Sequence, residues 1–80
     1  MTRAVALRSD YSGSEVRKRA AKTRHASVSR RLLAIAAAYD GLSRAEAARM
    51  GGMNRQTLRD WVHRFNAEGP DGLHDRWDIG

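Results

Sequence analysis

The sequence predicts an all-α fold, a small helical bundle of about four helices. Three observations point there. Apolar residues recur at helical spacing through residues 28–39 and 54–68. Two S-x-x-E sequences, Ser12 to Glu15 and Ser43 to Glu46, stand where helices would begin. Strand-like alternation of useful length is absent, as are internal repeats and low-complexity tracts.

The first helix is expected from about Gly13 to about Thr23. In a capping box the Ser oxygen and the Glu carboxylate satisfy backbone donors left free at a helix start. Arg17, Lys18, Arg19 and Lys22 outweigh Val16, Ala20 and Ala21, so this helix should lie across the domain with its basic face in water. In the second helix Val28, Leu32, Ile35 and Tyr39 form one stripe, and Leu33 and Ala37 mark a second apolar face. A helix with two apolar faces belongs at the centre, and Asp40-Gly41 should end it. Ser43 opens a short third helix that runs to Met50 and closes at Gly51-Gly52. Asn54 caps the fourth, whose seam is Leu58, Trp61, Val62 and Phe65 and whose stop is Gly69-Pro70. Beyond it Leu73 is placed to fold back onto the core, while the sequence leaves the burial of Trp77 open.

Eighty residues with 41% apolar content, one Pro and no Cys describe one domain with a modest core and no disulfide or Cys-ligated metal to reinforce it. The expected division is a flexible N-terminal arm over 1–10, the domain proper over 11–73 and a tail over 74–80. Lack of Cys and of any long apolar run agrees with a cytoplasmic location and no membrane partner. The net charge of +6 is uneven: residues 1–31 carry +7, residues 32–68 carry +1 and residues 69–80 carry −2. Such a basic front half suits a polyanion, because each cation that neutralises a phosphate releases condensed counterions. His25, His63 and His74 lack metal-ligand spacing, and no nucleophile with a base, glycine-rich phosphate loop or carboxylate cluster is found. The expectation is therefore binding without catalysis, cofactor, metal or small-molecule substrate.

Residues 44–63 meet the demands of a homeodomain-like helix-turn-helix: a short helix with small Ala47 and Ala48, a turn in which Gly52 takes positive φ, and a second helix locked by Met53, Leu58 and Trp61. Turning about 100° per residue from Leu58 puts Gln56, Arg59, Asp60 and His63 opposite the apolar seam. Arg59 then suits a guanine edge and Gln56 an adenine. Arg55, at the helix start, is within reach of a base or a phosphate, and Thr57 and Arg64 on the flank suit phosphates. Arg44 and Asn54, at the two helix starts, complete the set of candidate DNA-binding residues with His63 on the outer face. Asp60 is expected to pair with Arg64 or to orient Arg59, or else to accept from a cytosine amine. Trp61 and Phe65 are expected in the core.

The run Met1 to Leu7, then Ser29 to Ala34, Ala38 to Gly41, Glu46 to Arg49 with Gly51-Gly52, Arg59 to Val62, Arg64 to Asn66 and Gly69 to Leu73 resembles the N-terminal helix-turn-helix region of bacterial insertion-sequence transposases of the mariner-like superfamily. The resemblance covers nearly the whole chain to Leu73. It implies sequence-specific binding of double-stranded DNA at the terminal inverted repeats of a mobile element, with bases read from the helix that begins near Asn54. In such transposases this region precedes a second helix-turn-helix or winged domain and a nuclease-like domain with a metal-binding acidic triad, neither of which occurs in these 80 residues. On the resemblance the sequence reads as a truncated or frameshifted element, an excised domain or a stand-alone binding protein. A homodimer or downstream transposase domains are the further partners it leaves open. The alternatives are a free-standing helix-turn-helix transcriptional regulator and a helical module that meets an acidic protein.

Overall fold

A computed structural model describes residues 4–75, which form four α-helices and one short 3₁₀ helix. Helix α1 (Gly13–Lys22) starts as the sequence requires, with the Ser12 hydroxyl accepting from the Glu15 N–H and the Glu15 carboxylate accepting from the Ser12 N–H. Helix α2 (Ala26–Tyr39) starts two residues earlier than its apolar stripe, at a His25 cap that makes no side-chain hydrogen bond. Helix α3 (Arg44–Met50) repeats the capping box with Ser43 and Glu46. Helix α4 (Arg55–Glu68) is capped by the Asn54 side chain, which accepts from the Thr57 N–H at 2.8 Å. A 3₁₀ helix (Gly69–Leu73) follows directly, with Pro70 in its first turn. No strand occurs among the described residues.

Helix α2 is the central element, in contact with α1, α3, α4 and the 3₁₀ helix. Its buried residues are Val28, Leu32, Ala34, Ile35, Ala36 and Ala37, so the two apolar faces seen in the sequence are both used. Leu58, Val62 and Phe65 of α4 and Leu73 of the 3₁₀ helix complete the core with Val16. Alanines at 20, 34, 36, 37, 47 and 48 are buried too, and their short side chains let the helix backbones approach closely. Among the described residues no polar or charged side chain is fully buried.

The turn between α3 and α4 depends on two glycines for different reasons. Gly52 has φ +69°, a left-handed conformation costly for a residue with a Cβ. Gly51 has an ordinary φ of −94°, but a Cβ there would lie 2.8 to 2.9 Å from Met53 Cε, Ala34 Cβ and the Arg30 carbonyl oxygen. The Met53 N–H then donates to the Ala48 carbonyl, closing the turn onto α3.

Trp61 departs from its expected place in the core. It is half-buried at the edge, with the guanidinium of Arg31 4.1 Å and that of Arg64 4.9 Å from its ring centroid. One part of the indole packs against the core, and the rest meets the two guanidiniums, which are attracted to the ring face and keep their charge near water. The same two arginines hold the chain after the 3₁₀ helix: Arg31 donates to the Leu73 carbonyl and pairs with Asp75, and Arg64 donates to the His74 carbonyl. Trp77 lies outside the described residues.

Candidate nucleic-acid interface

Three fully buried residues, Leu58, Val62 and Phe65, anchor α4 to the core, so its opposite face is fixed in direction as well as exposed. On that face Gln56, Arg59, Asp60 and His63 are all exposed, and Asn54, Arg55 and Thr57 are exposed around the helix start. The four-residue wedge opposite the apolar seam is thus solvent-facing.

Two of the predicted site residues are engaged inside the protein. Arg64 is half-buried, lying over Trp61 and donating to His74. Arg44 is also half-buried: its Nη2 donates to the Val5 carbonyl at 2.7 Å, and its Nη1 is buried without a hydrogen-bond partner. Burial pushes the Arg44 guanidinium below its ordinary range, because the charged form loses hydration and gains no carboxylate. Asp60 was expected to pair with Arg64 or orient Arg59, and it does neither: among the described residues it enters no ion pair. The aromatic face of Trp61 and the His74 carbonyl outcompete the i, i+4 pairing for Arg64.

The segment before α1 shapes the interface in a way that helical periodicity did not indicate. Over residues 4–10 the segment that the sequence reads as an arm lies along α4. The Asn66 side chain bridges two of its backbone groups, accepting from the Arg8 N–H at 2.9 Å and donating to the Ala6 carbonyl at 2.7 Å. The Tyr39 hydroxyl donates to the Arg8 carbonyl, while the Arg8 guanidinium donates to the carbonyls of Phe65 and Asn66 and pairs with Asp10. Burial raises the Tyr39 phenol above its ordinary range, which keeps this donor protonated. Arg44 adds the bond to Val5. Because these partners are 31 to 60 residues apart in sequence, no local pattern announces them.

Between this segment and the first half of α4 is a cleft of about 340 Å³. Leu58 and Val62 supply apolar lining, Ala4 and Val5 come from the docked segment, and Arg44, Arg55, Gln56 and Arg59 supply the polar groups. The cleft adjoins the outward wedge, since Gln56 and Arg59 belong to both.

The basic residues of α1 form a separate surface. Helix α1 packs chiefly on α2, and Arg17, Lys18, Arg19 and Lys22 are exposed. Arg17 pairs with Asp40, and Arg19 lies 3.9 Å from Asp71. Among the described residues no group of three or more His, Cys, Asp or Glu is arranged to hold a metal ion, and no helix is long and apolar enough to cross a membrane.

Comparison with known proteins agrees with this geometry. Residues 31–80 match the family described as winged helix-turn helix, a domain found in transposases. An uncharacterized protein of Sinorhizobium fredii (strain NBRC 101917 / NGR234), y4pG/y4sC, is 55% identical over 73 residues, which are 91% of this chain. The chain spans 38% of the length of that relative. No solved structure matches significantly. The turn built on Gly51 and Gly52, the outward face of α4 and a family match over more than half the sequence lead to one conclusion: the chain belongs to the winged helix-turn-helix family.

Proposed function

We propose that this chain binds double-stranded DNA in a sequence-specific manner through the outer face of α4, as the part of a transposase that recognises the terminal inverted repeats of a mobile element. The observation that carries the reading is a helix anchored by Leu58, Val62 and Phe65 whose exposed face presents Gln56, Arg59 and His63 in the second position of a helix-turn-helix. Such a helix enters the major groove, where Arg59 pairs with guanine O6 and N7 and Gln56 with adenine N6 and N7. Asn54, Arg55 and Thr57 at the helix start are placed for phosphates, which set register. Arg44 and Arg64 act by positioning the docked N-terminal segment and the chain after Leu73. Asp60, free of a cation among the described residues, is the carboxylate available to a cytosine amine.

The resemblance to insertion-sequence transposases and the family match support the transposase assignment. The proposed role is end binding, with cutting left to other parts of a transposase. The test is selection of bound duplexes from a random pool, read at two salt concentrations. A preferred sequence matching the ends of a neighbouring mobile element supports the proposal. A palindrome in a promoter favours a free-standing regulator, and the absence of any preferred sequence sinks direct readout.

A further inference from the structure

The cleft beside α4 has a charge arrangement that base reading does not account for. It is lined by three guanidiniums, those of Arg44, Arg55 and Arg59, and by no carboxylate. None of the ion pairs among the described residues uses any of the three. Elsewhere Asp10 pairs with Arg8, Asp40 with Arg17 and Asp75 with Arg31, and Glu15 and Glu46 serve their capping boxes, while Asp60, next to Arg59 on α4, enters no ion pair among the described residues and does not line the cleft. Arg44, one of the lining residues, is half-buried and keeps one nitrogen without an acceptor, a costly state for a charged group unless a counter-charge comes close. The cleft also sits at the start of a 14-residue helix, where the backbone dipole adds positive potential. Its volume of about 340 Å³ accommodates a tetrahedral anion.

We propose that this cleft is a phosphate seat: it takes one phosphate group, gripped by the exposed Arg55, with the half-buried Arg44 and the exposed Arg59 adding charge from the same lining. A planar fork of donors suits phosphate oxygens, and the apolar lining of Leu58 and Val62 lowers the local dielectric under the ion pair. The inference rests on the DNA-binding reading for the source of the phosphate, a backbone phosphodiester, and does not rest on it for the anion. In that setting the seat fixes the register of α4, and the docking of Val5 by Arg44 becomes part of the interface, because it builds one wall of the seat.

The test uses the full chain and Arg55→Gln, an exposed position whose replacement leaves the core intact. In a duplex carrying the selected site, a neutral methylphosphonate is placed at each phosphate in turn. For the native chain one position costs about tenfold or more in affinity, the size of one charge-assisted hydrogen bond. Arg55→Gln binds the unmodified duplex more weakly by a similar factor, is indifferent to the methylphosphonate at that position, and has a log–log salt slope smaller by about one. In parallel, inorganic phosphate is titrated into the protein without DNA at constant ionic strength, and the Arg44 and Arg55 Nε–H resonances are followed. Saturable shifts that chloride does not reproduce support the seat, even if no duplex binds and the DNA reading falls. Additive effects of Arg55→Gln with every methylphosphonate, together with identical responses to phosphate and chloride, overturn the seat and leave the DNA reading standing.

Discussion

Replacing Asn66 with Ala removes one side chain and, with it, the two hydrogen bonds by which that side chain holds the Arg8 N–H and the Ala6 carbonyl; the bonds from the Arg8 guanidinium to the Phe65 and Asn66 carbonyls remain. A typical intramolecular hydrogen bond contributes about 0.5–1.5 kcal/mol net, so the pair is worth about 1–3 kcal/mol. Against this, Ala is the better helix former, by up to about 0.7 kcal/mol for an exchange with Asn. Taking the full propensity gain, the net global loss is about 0.3–2.3 kcal/mol, measurable by urea denaturation as a lower midpoint with nearly unchanged slope. Locally the effect is larger, because the propensity gain belongs to α4 and does nothing for the segment. The Arg8 amide donates to Asn66 Oδ1, and its hydrogen-exchange protection should fall by about 5- to 150-fold, the equivalent of the lost bonds. Amides in α2 should change only by the global difference. Unchanged exchange at Arg8 in the variant would refute the argument that Asn66, and through it the α4 flank, places the N-terminal segment.

Three further outcomes follow from other parts of the molecule. Arg59→Ala should relax specificity at one or two base positions at a cost of about 1–3 kcal/mol, while Lys18→Ala on α1 should weaken all sequences alike; parallel binding to the selected site and its single-base variants separates the two. Gly51→Ala should destabilise by about 1–3 kcal/mol in thermal or urea unfolding, because its Cβ meets the Arg30 carbonyl oxygen at 2.9 Å as well as two side-chain carbons, and rigid α2 backbone cannot give way. The Glu46 carboxylate is held below its ordinary value by the Ser43 N–H and then the Ser43 hydroxyl. Its contribution is therefore complete above the unfolded value of 4.5 and is lost as pH falls through the lower folded value, so Glu46→Gln should flatten the acid limb of stability against pH; an acid limb identical to that of the native chain would count against the capping carboxylate.

Helix positions were readable because their signals are local. Ser12 with Glu15, Ser43 with Glu46, and Asn54 each sit within three residues of the donors they satisfy, so spacing alone locates three helix starts. The α2 start lacked such a signal, since His25 makes no side-chain cap, and the apolar stripe that marks the helix begins only at Val28, two residues inside it. The outward wedge of α4 was equally legible, because 3.6 residues per turn dictates which side chains oppose Leu58, Val62 and Phe65. Trp61 shows where periodicity runs short: angle from the seam says which way a ring points, and the neighbours decide how much water it keeps.

By itself, then, the sequence determined the four helices, the glycine turn, the apolar seam and the direction of the candidate base-reading face, all set by backbone geometry over a few residues. The tertiary structure alone decided what long-range partners do. It turned Arg44 inward onto Val5, drew Arg64 to Trp61 and His74 and away from Asp60, and set the N-terminal segment against Asn66 and Tyr39. A guanidinium on a flexible stem can reach several acceptors, and which one it takes depends on chain segments brought together only when the core closes.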